Sequence, residues 1–278
     1  MTKEKKDNLF YVKIFVSIFA VIFFIAIGIR IYGSYINRNF THNSFNILIV
    51  ADNYVGVIGF DAKEARFNSA IVTENLKNIK KRNILVQSIN FVIPIHGYIV
   101  YPEGIDAPAP TQRFLSSGNI QKIYTDIRIE KKNITLFDWF RMYFITKKID
   151  AERVLVKTYA SITDLNKLLP IENEPFFRDS EVTYNKTSIQ IVNGTSINGL
   201  GNRVADIFSR TGFNVVSVVT SSSDESAIYY NDDVHFKEAE LISKSFNFPI
   251  IKSDDYAIAS VTIVLGEDQE LLLEELTY

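Results

Sequence analysis

One long apolar run dominates the first 32 residues. From Leu9 to Ile31 the side chains are almost wholly apolar, with Lys13 and Arg30 as the charged exceptions. A helix of roughly 20 such residues, each rising about 1.5 Å, spans about 30 Å of hydrocarbon. We therefore predict a transmembrane anchor at residues 9–32, preceded by a short tail at residues 1–8.

A cleaved signal peptide is the alternative for this run, because Ala26-Ile27-Gly28 has the small residues of a cleavage site. The run is longer than the roughly 7–15 apolar residues of a signal peptide, so we expect an uncleaved anchor. Lys3, Lys5 and Lys6 precede the span. Since cytoplasmic flanks are rich in Lys and Arg, we predict a cytoplasmic N-terminus and a single-pass membrane protein with its later domains outside.

Residues 45–180 carry short apolar runs between polar stretches, the pattern of a mixed α/β domain. Leu136, Phe140 and Phe144 recur every four residues, which predicts a helix with these side chains on one face. The segment 102–119 holds three prolines and is predicted as a long loop. The predicted strands are Phe45–Val50, Ala70–Thr73, Ile84–Ile89, Gly97–Tyr101 and Val154–Thr158, and the predicted helices are Leu136–Phe144 and Ile162–Leu169.

The C-terminal part has the order strand, helix, strand, strand, helix, strand. Leu200, Val204, Ile207 and Phe208 share a helix face, and Gly212 ends that helix. We predict a small α/β sandwich at residues 187–268, followed by an acidic tail at 269–278. Its predicted strands are Ser188–Asn193, Phe213–Val219, Ala227–Tyr230 and Val261–Leu265, and Asp232 or Asp233 is predicted to cap the second helix. The whole chain is thus of the α/β class behind a transmembrane helix.

Composition and charge exclude several classes of protein. A hydrophobic content of 47% excludes wholesale disorder, and a net charge of −2 gives no basic footprint for nucleic acid. Residues 1–44 carry six Lys and Arg against two Asp and Glu, whereas residues 181–278 carry six against 15. An acidic C-terminal third repels anionic lipids and polymers. The absence of cysteine excludes disulfides, thiolate metal sites and cysteine nucleophiles.

The candidate sites are few. Gly194, Gly199 and Gly201 form a strand-to-helix turn that can place backbone N–H groups around an anion, although a tight turn explains the same glycines. The spacing matches neither the dinucleotide nor the Walker pattern. We expect no cofactor and no metal site, because the histidines are far apart and the acidic residues lack calcium-loop spacing. These residues are His42, His96, His235, Asp224, Glu225, Asp232, Asp233, Asp254 and Asp255.

The C-terminal residues resemble a known family. The string Ile189-Gln-Ile-Val-Asn-Gly-Thr-Ser-Ile-Asn-Gly-Leu-Gly201 is similar to the opening of the C-terminal domain of LytR-type envelope proteins. Thr211-Gly212-Phe213-Asn214-Val215, Ala227-Ile228-Tyr229-Tyr230 and Val261-Thr-Ile-Val-Leu-Gly-Glu-Asp268 follow in family order. The resemblance implies an exported bacterial module, and it carries over no catalytic residue.

The middle region has a weaker resemblance to the LytR/CpsA/Psr domain, on Phe45–Val50 and on residues 133–169 with Ile149–Val156. That family transfers glycopolymers from a lipid pyrophosphate carrier with arginines, aspartates and magnesium. Its Ser-Ile-Pro-Arg-Asp segment aligns with Ser88–Val92, where Phe91 and Val92 replace the Arg and the Asp. The carboxylate of its Arg-Ser-Asp signature is also missing after Arg66-Phe67-Asn68-Ser69.

We therefore expect a membrane-anchored envelope protein without catalytic activity. It would use the lipid bilayer as its anchor and would bind a cell-wall glycopolymer, another wall component or an envelope protein, but not nucleic acid. The alternative is a divergent glycopolymer phosphotransferase that acts on a lipid pyrophosphate carrier with an unrecognised residue set. Such a set would be Asp52, Asp61, Arg66 and Arg113.

Overall fold

The computed structural model describes residues 3–36, 44–73, 83–105, 107–108, 117–169, 176–256 and 258–270. Within these ranges the helices are α1 (Lys3–Ile36), α2 (Ile84–Phe91), α3 (Ser117–Thr125), α4 (Leu136–Thr146), α5 (Ile162–Leu168), α6 (Ser180–Asn185), α7 (Leu200–Thr211) and α8 (Phe236–Phe246). The strands are β1 (Ser44–Val50), β2 (Val55–Asp61), β3 (Arg66–Val72), β4 (Gly97–Val100), β5 (Glu130–Lys132), β6 (Val154–Tyr159), β7 (Ser188–Asn193), β8 (Asn214–Thr220), β9 (Ala227–Tyr230), β10 (Ile250–Lys252) and β11 (Val261–Leu265).

Helix α1 carries the predicted apolar span. In the described part of the chain, Lys13–Ile36 is the one helical stretch long and apolar enough to cross a membrane. Its side chains are not packed in the protein, since Phe15 and Phe24 are 70% and 69% exposed. The helix runs to Ile36, whereas the predicted anchor ends at residue 32. Its last turn contacts α4, since the ring centres of Tyr35 and Phe137 lie 5.5 Å apart.

The N-terminal sheet has six strands in the order β5-β4-β1-β2-β3-β6. Strands β1, β2 and β3 are antiparallel neighbours, whereas β4 runs parallel to β1 and β6 runs parallel to β3. Alternate side chains point to opposite faces of the sheet. One face packs against α3 and α4, and the other packs against α2 and α5. The middle region is therefore a mixed α/β sandwich of three layers, as the sequence predicts.

The predicted strand at Ile84–Ile89 is wrong, because these residues form helix α2. Asn83 caps the helix by accepting a hydrogen bond from the N–H of Leu85 at 3.0 Å. All residues from Leu85 to Phe91 are buried. Gln87, Ser88 and Asn90 are polar but buried like their apolar neighbours, so the helix has no solvent-facing polar side and lacks the amphipathic 3.6-residue period by which sequence reasoning recognises helices.

Strand β2 is absent from the sequence prediction, because Gly56 and Gly59 weaken its strand pattern. Packing nevertheless requires Gly59. A Cβ atom there would lie 2.8 Å from Oδ1 of Asn46 and 2.9 Å from a ring carbon of Phe177. The short elements α3, β5, α6 and β10 are also absent from the prediction, and the predicted strand Ala70–Thr73 is the second half of β3. Half of the predicted loop at 102–119 lies outside the described residues, and its last three residues belong to α3.

Helix α4 forms where predicted but presents a different face to the core. A capping box starts it: the Thr135 hydroxyl oxygen accepts from the N–H of Asp138 at 3.3 Å, and the Asp138 carboxylate accepts from the N–H of Thr135 at 2.8 Å. Trp139, Met142 and Ile145 pack on the N-terminal sheet. Phe140 and Phe144, which the four-residue period selects, are 53% and 60% exposed.

The C-terminal sheet has the order β10-β9-β11-β7-β8, in which β7 is parallel to both β8 and β11. Helices α7 and α8 cover one face, with Val204, Ile207 and Phe208 buried as predicted. Gly212 ends α7 in the left-handed region with a φ of 109°, which L side chains rarely adopt. The prediction that Asp232 or Asp233 caps the second helix is wrong, because His235 is the N-cap of α8, while Asp232 accepts from Val234 N–H and caps the short 3₁₀ turn that precedes it. A small α/β sandwich results.

Helix α2 joins the two sandwiches. Its residues Leu85, Val86 and Ile89 belong to the hydrophobic cluster that α7 and α8 form over the C-terminal sheet. Phe91, at the end of the same helix, belongs to the cluster beneath the N-terminal sheet. One helix therefore contributes to two cores, a connection that the sequence does not predict.

A guanidinium group reinforces this junction. Arg210 of α7 donates hydrogen bonds to the carbonyl oxygens of Val92 at 3.3 Å and Asn166 at 3.1 Å. Burial lowers the pKa of Arg210, an effect that the nearby Asp206 opposes. The cation is held at the C-terminal end of α2, where the helix dipole favours positive charge.

We predict that Ile89→Ala destabilises both sandwiches together. Removing a fully buried Ile leaves a cavity that typically costs about 2–5 kcal/mol, and Ile89 faces the shared cluster. Urea unfolding should be followed by Trp139 emission for the N-terminal sandwich and by a label at Val234→Cys for the C-terminal one. Both midpoints should fall by the same amount.

The matched control is Ile251→Ala on β10, whose side chain is 40% exposed and whose loss should change stability little. A shift of the Val234 label alone, with the Trp139 transition unchanged, would show that the sandwiches are energetically independent.

Candidate functional site

The glycine-rich turn lies at the carboxyl ends of β7, β8 and β11, and close packing or a positive φ explains each glycine. Gly194 donates its N–H to the carbonyl of Leu265 at 2.7 Å, and a Cβ atom there would lie 2.8 Å from that oxygen. Gly199 begins α7 with a φ of 78°. A Cβ atom on Gly201 would lie 2.9 Å from Cγ1 of Val218, so this glycine permits close contact between α7 and β8.

The donors of this turn already hold an anionic group of the chain itself. Glu270 accepts hydrogen bonds from the backbone N–H of Ser196 at 3.2 Å and from the Ser196 hydroxyl. The Asn193 side chain accepts two more, from the N–H and the hydroxyl of Thr195. An external anion at Ser196 must displace Glu270. The anion site at Gly194, Gly199 and Gly201 stays a prediction, and Glu270 is its internal competitor.

A second carboxylate secures the same end of the sheet. Asp268 accepts from the N–H of Ser226 at 2.9 Å and from its hydroxyl at 2.7 Å. The Ser226 hydroxyl oxygen in turn accepts from the N–H of Gly266 at 2.8 Å. The acidic segment after β11 is thus held against the loop before β9 by hydrogen bonds, as a structural element of the sandwich.

Two of the candidate catalytic residues form an ion pair at the β2–β3 turn. A guanidinium nitrogen of Arg66 lies 3.4 Å from Oδ2 of Asp61, and Oδ1 accepts from the N–H groups of Lys63 and Glu64. Burial raises the pKa of the Asp61 carboxyl, and this outweighs the opposing hydrogen bond from Glu64 and the charge of Arg66. The carboxylate is therefore costly to keep charged and is held by the turn that it closes.

The neighbouring Asp179 is fully buried and fully hydrogen-bonded. It accepts from the N–H of Ser44 at 3.1 Å and the hydroxyl at 2.6 Å, and from the N–H groups of Glu181 and Val182. Its negative charge also raises the pKa of Asp61. Asp179 thereby fixes the start of β1 to the first turn of α6, which gives it a structural role.

The remaining candidates do not join this pair. Asp52 is exposed in the β1–β2 turn, where it accepts from the N–H of Gly104 at 2.7 Å. Strand β2 separates it from Asp61, and seven extended residues span about 20 Å. Arg113 lies outside the described residues. Asp52 and the Asp61–Arg66 pair are therefore too far apart to bind the same phosphate group.

The positions that align with the phosphate-binding residues of the resemblance are core positions here. Phe91 is fully buried beneath the N-terminal sheet, and Val92 packs in the cluster of the C-terminal sandwich. Asn68 is buried and donates to the backbone carbonyl of Phe176. Apolar side chains cannot make the bidentate contacts that guanidinium groups make to phosphates.

Among the described residues no group of three or more His, Asp and Glu side chains could hold a metal ion. His96 is buried, accepts from the N–H of Asn46 through Nδ1 at 2.9 Å and stacks on Phe45. Of the acidic residues considered for calcium, Asp233 pairs with Lys252 at 2.8 Å. His42 lies outside the described residues.

A groove of about 430 Å³ that the sequence does not predict lies between α4 and the β2–β3 turn. The signal present in the sequence is a cluster of aromatic residues from 137 to 144 that includes Arg141 and is followed by Lys147 and Lys148. The groove is lined by Ala62, Ala65, Phe137, Asp138, Phe140, Arg141, Phe144, Ile145 and Lys148.

Comparison with known proteins assigns the C-terminal sandwich to a family. No curated protein sequence matches the chain. The crystal structure of the transcriptional regulator yvhJ from Bacillus subtilis is similar over 48% of this chain and 96% of that chain, with 13% identity and a TM-score of 0.35. Residues 186–268 match the family model described as the LytR cell envelope-related transcriptional attenuator. The chain therefore carries a LytR C-terminal domain at residues 186–268, which indicates a cell-envelope-associated protein.

Proposed function

We propose that this is a single-pass membrane protein that holds its LytR C-terminal domain outside the cytoplasmic membrane without catalysing a reaction. The domain presents a binding surface to a wall component or a partner protein. The apolar helix α1 and the envelope domain at residues 186–268 support the location. The lysines ahead of the span support the orientation.

The burial of Phe91 and Val92 carries the non-catalytic part of the proposal. Both side chains are in closed hydrophobic cores, at the positions where the resemblance requires Arg and Asp. A phosphotransferase must stabilise charge that develops on a pyrophosphate, and losing one preorganised group typically costs about 10²–10³ in rate. The charged residues of the alternative set do not compensate, since Asp52 lies at the opposite end of β2 from Asp61 and Arg66.

The charge of the C-terminal region narrows the class of partner. Residues 181–278 carry 15 Asp and Glu against six Lys and Arg. Like charges repel across an interface, so an anionic glycopolymer is disfavoured unless cations bridge it. A protein surface with basic residues is the partner class that this charge favours.

The first prediction tests the orientation. External protease applied to intact cells or spheroplasts should degrade the chain from about residue 40 onward, because these residues lie outside in the proposal. The measurement is an immunoblot with an epitope tag at each end. Complete protection in spheroplasts, with degradation only after lysis, would reverse the orientation.

The second prediction tests the absence of catalysis. Full-length protein in detergent, with magnesium and a polyprenyl pyrophosphate, should release no phosphate above background, because Asp52 lies apart from the Asp61–Arg66 pair in the described part of the chain. An active glycopolymer transferase serves as the positive control for the assay.

The alternative function, a glycopolymer phosphotransferase, predicts turnover that responds differently to two matched variants. Magnesium-dependent turnover that Arg66→Ala abolishes, and that Lys63→Ala in the same exposed turn leaves intact, would establish the phosphotransferase. Binding of the lipid without turnover would agree with an inactive domain that retains a lipid site.

A further inference from the structure

Helix α4 exposes a stripe of aromatic side chains next to the membrane-spanning helix. Phe137, Phe140 and Phe144 recur at three- and four-residue spacing, which places them along one helix face. Phe140 and Phe144 are 53% and 60% exposed. The core side of α4 is supplied by Trp139, Met142 and Ile145, so the stripe is not needed to hold the helix on the sheet.

Basic side chains border this stripe. Arg141 and Lys148 line the groove beside it, and Lys147 lies with its Nζ 4.4 Å from the ring centre of Tyr143. The one acidic residue of α4, Asp138, is buried in the capping box at 1% exposure. The exposed side of α4 is therefore aromatic and cationic, the composition of helices that lie in a membrane interface.

The aromatic stripe begins beside the C-terminal end of α1. Tyr35 stands one residue before the end of the apolar span, where interfacial aromatic residues belong. Its ring contacts Phe137 in the first turn of α4 at 5.5 Å. Phe144 lies seven residues further along α4, about 10 Å along the helix axis. The stripe thus begins at the level where α1 leaves the bilayer.

We propose that α4 docks on the bilayer surface from which α1 emerges, with Phe140 and Phe144 inserted among the lipid headgroups and Arg141, Lys147 and Lys148 facing anionic phosphates. A contiguous aromatic patch of this kind marks a binding surface in a soluble domain, whereas isolated exposed apolar residues do not. The membrane is the occupant that the contact with α1 selects. The inference holds for either orientation of the anchor and does not depend on the absence of catalysis.

The chain has no cysteine, so single-cysteine variants report one position each. Phe140→Cys and Phe144→Cys, labelled with an environment-sensitive fluorophore, would be reconstituted at full length in nanodiscs of phosphatidylcholine and phosphatidylglycerol. Val234→Cys and Ile258→Cys, at positions 68% and 69% exposed in the C-terminal sandwich, are the matched controls. All four positions are already exposed, so the substitutions leave the core intact, and Trp139 emission checks that α4 remains folded.

Spin-labelled lipids should quench the labels at positions 140 and 144 at least about twofold more than the control labels, because interfacial helices bury their apolar face beneath the headgroups. The double variant Lys147→Glu, Lys148→Glu should reduce that quenching. Equal quenching at all four positions would overturn the proposal. Quenching that is the same in pure phosphatidylcholine discs would overturn its electrostatic part.

Discussion

The rest of the structure depends on the complete burial of α2. This eight-residue helix has no solvent-facing side, and its apolar residues are divided between two hydrophobic clusters. Leu85, Val86 and Ile89 complete the core under α7 and α8, while Phe91 completes the core under the N-terminal sheet. If α2 left this position, both cores would lose side chains and Arg210 would lose a backbone partner in a largely apolar setting. Losing one of the two carbonyl partners of this partly buried guanidinium costs more than losing a surface contact, so the bond adds to the stability of the junction.

This junction arranges the layers in a fixed order. Helices α3 and α4 lie on the side that meets α1, followed by the N-terminal sheet, then α2 and α5, then α7 and α8, and finally the C-terminal sheet. Adjacent layers of helices and sheets pack about 10 Å apart, so the C-terminal sheet lies on the order of 40 Å from α4. The middle region thereby separates the apolar helix α1 from the LytR C-terminal domain. Phe91 and Val92 serve this layered packing as core residues.

Sequence reasoning succeeds where the pattern is local and amphipathic. Strands β7, β9 and β11 of the C-terminal sandwich and the buried face of α7 lie at their predicted positions, whereas the three-residue β10 is too short to give a pattern. It fails at α2, whose uniform burial removes the period, and at β2, whose Gly59 is required by the neighbouring Asn46 and Phe177. Among the candidate catalytic residues, Asp61 and Arg66 are close enough in sequence for their ion pair to be predictable. The distance between Asp52 and this pair could not be predicted, because it is set by strand β2, which the sequence does not reveal. Glu270 reaches Ser196 across 74 residues of sequence, and no local pattern encodes such a contact.

The central claim is that α2 unites the two sandwiches into one layered body, and a distance measurement tests it most directly. Nitroxide labels at Phe144→Cys on α4 and Val219→Cys on β8, both exposed positions, would be placed in the full-length chain. Double electron–electron resonance should give one narrow distribution centred on the order of 40 Å, four layer spacings of about 10 Å. Ile89→Asp, which puts a charge into the shared core, should broaden it. A broad or double-peaked distribution in the unmodified α2 background would contradict the account, because it would show that the two sandwiches move independently.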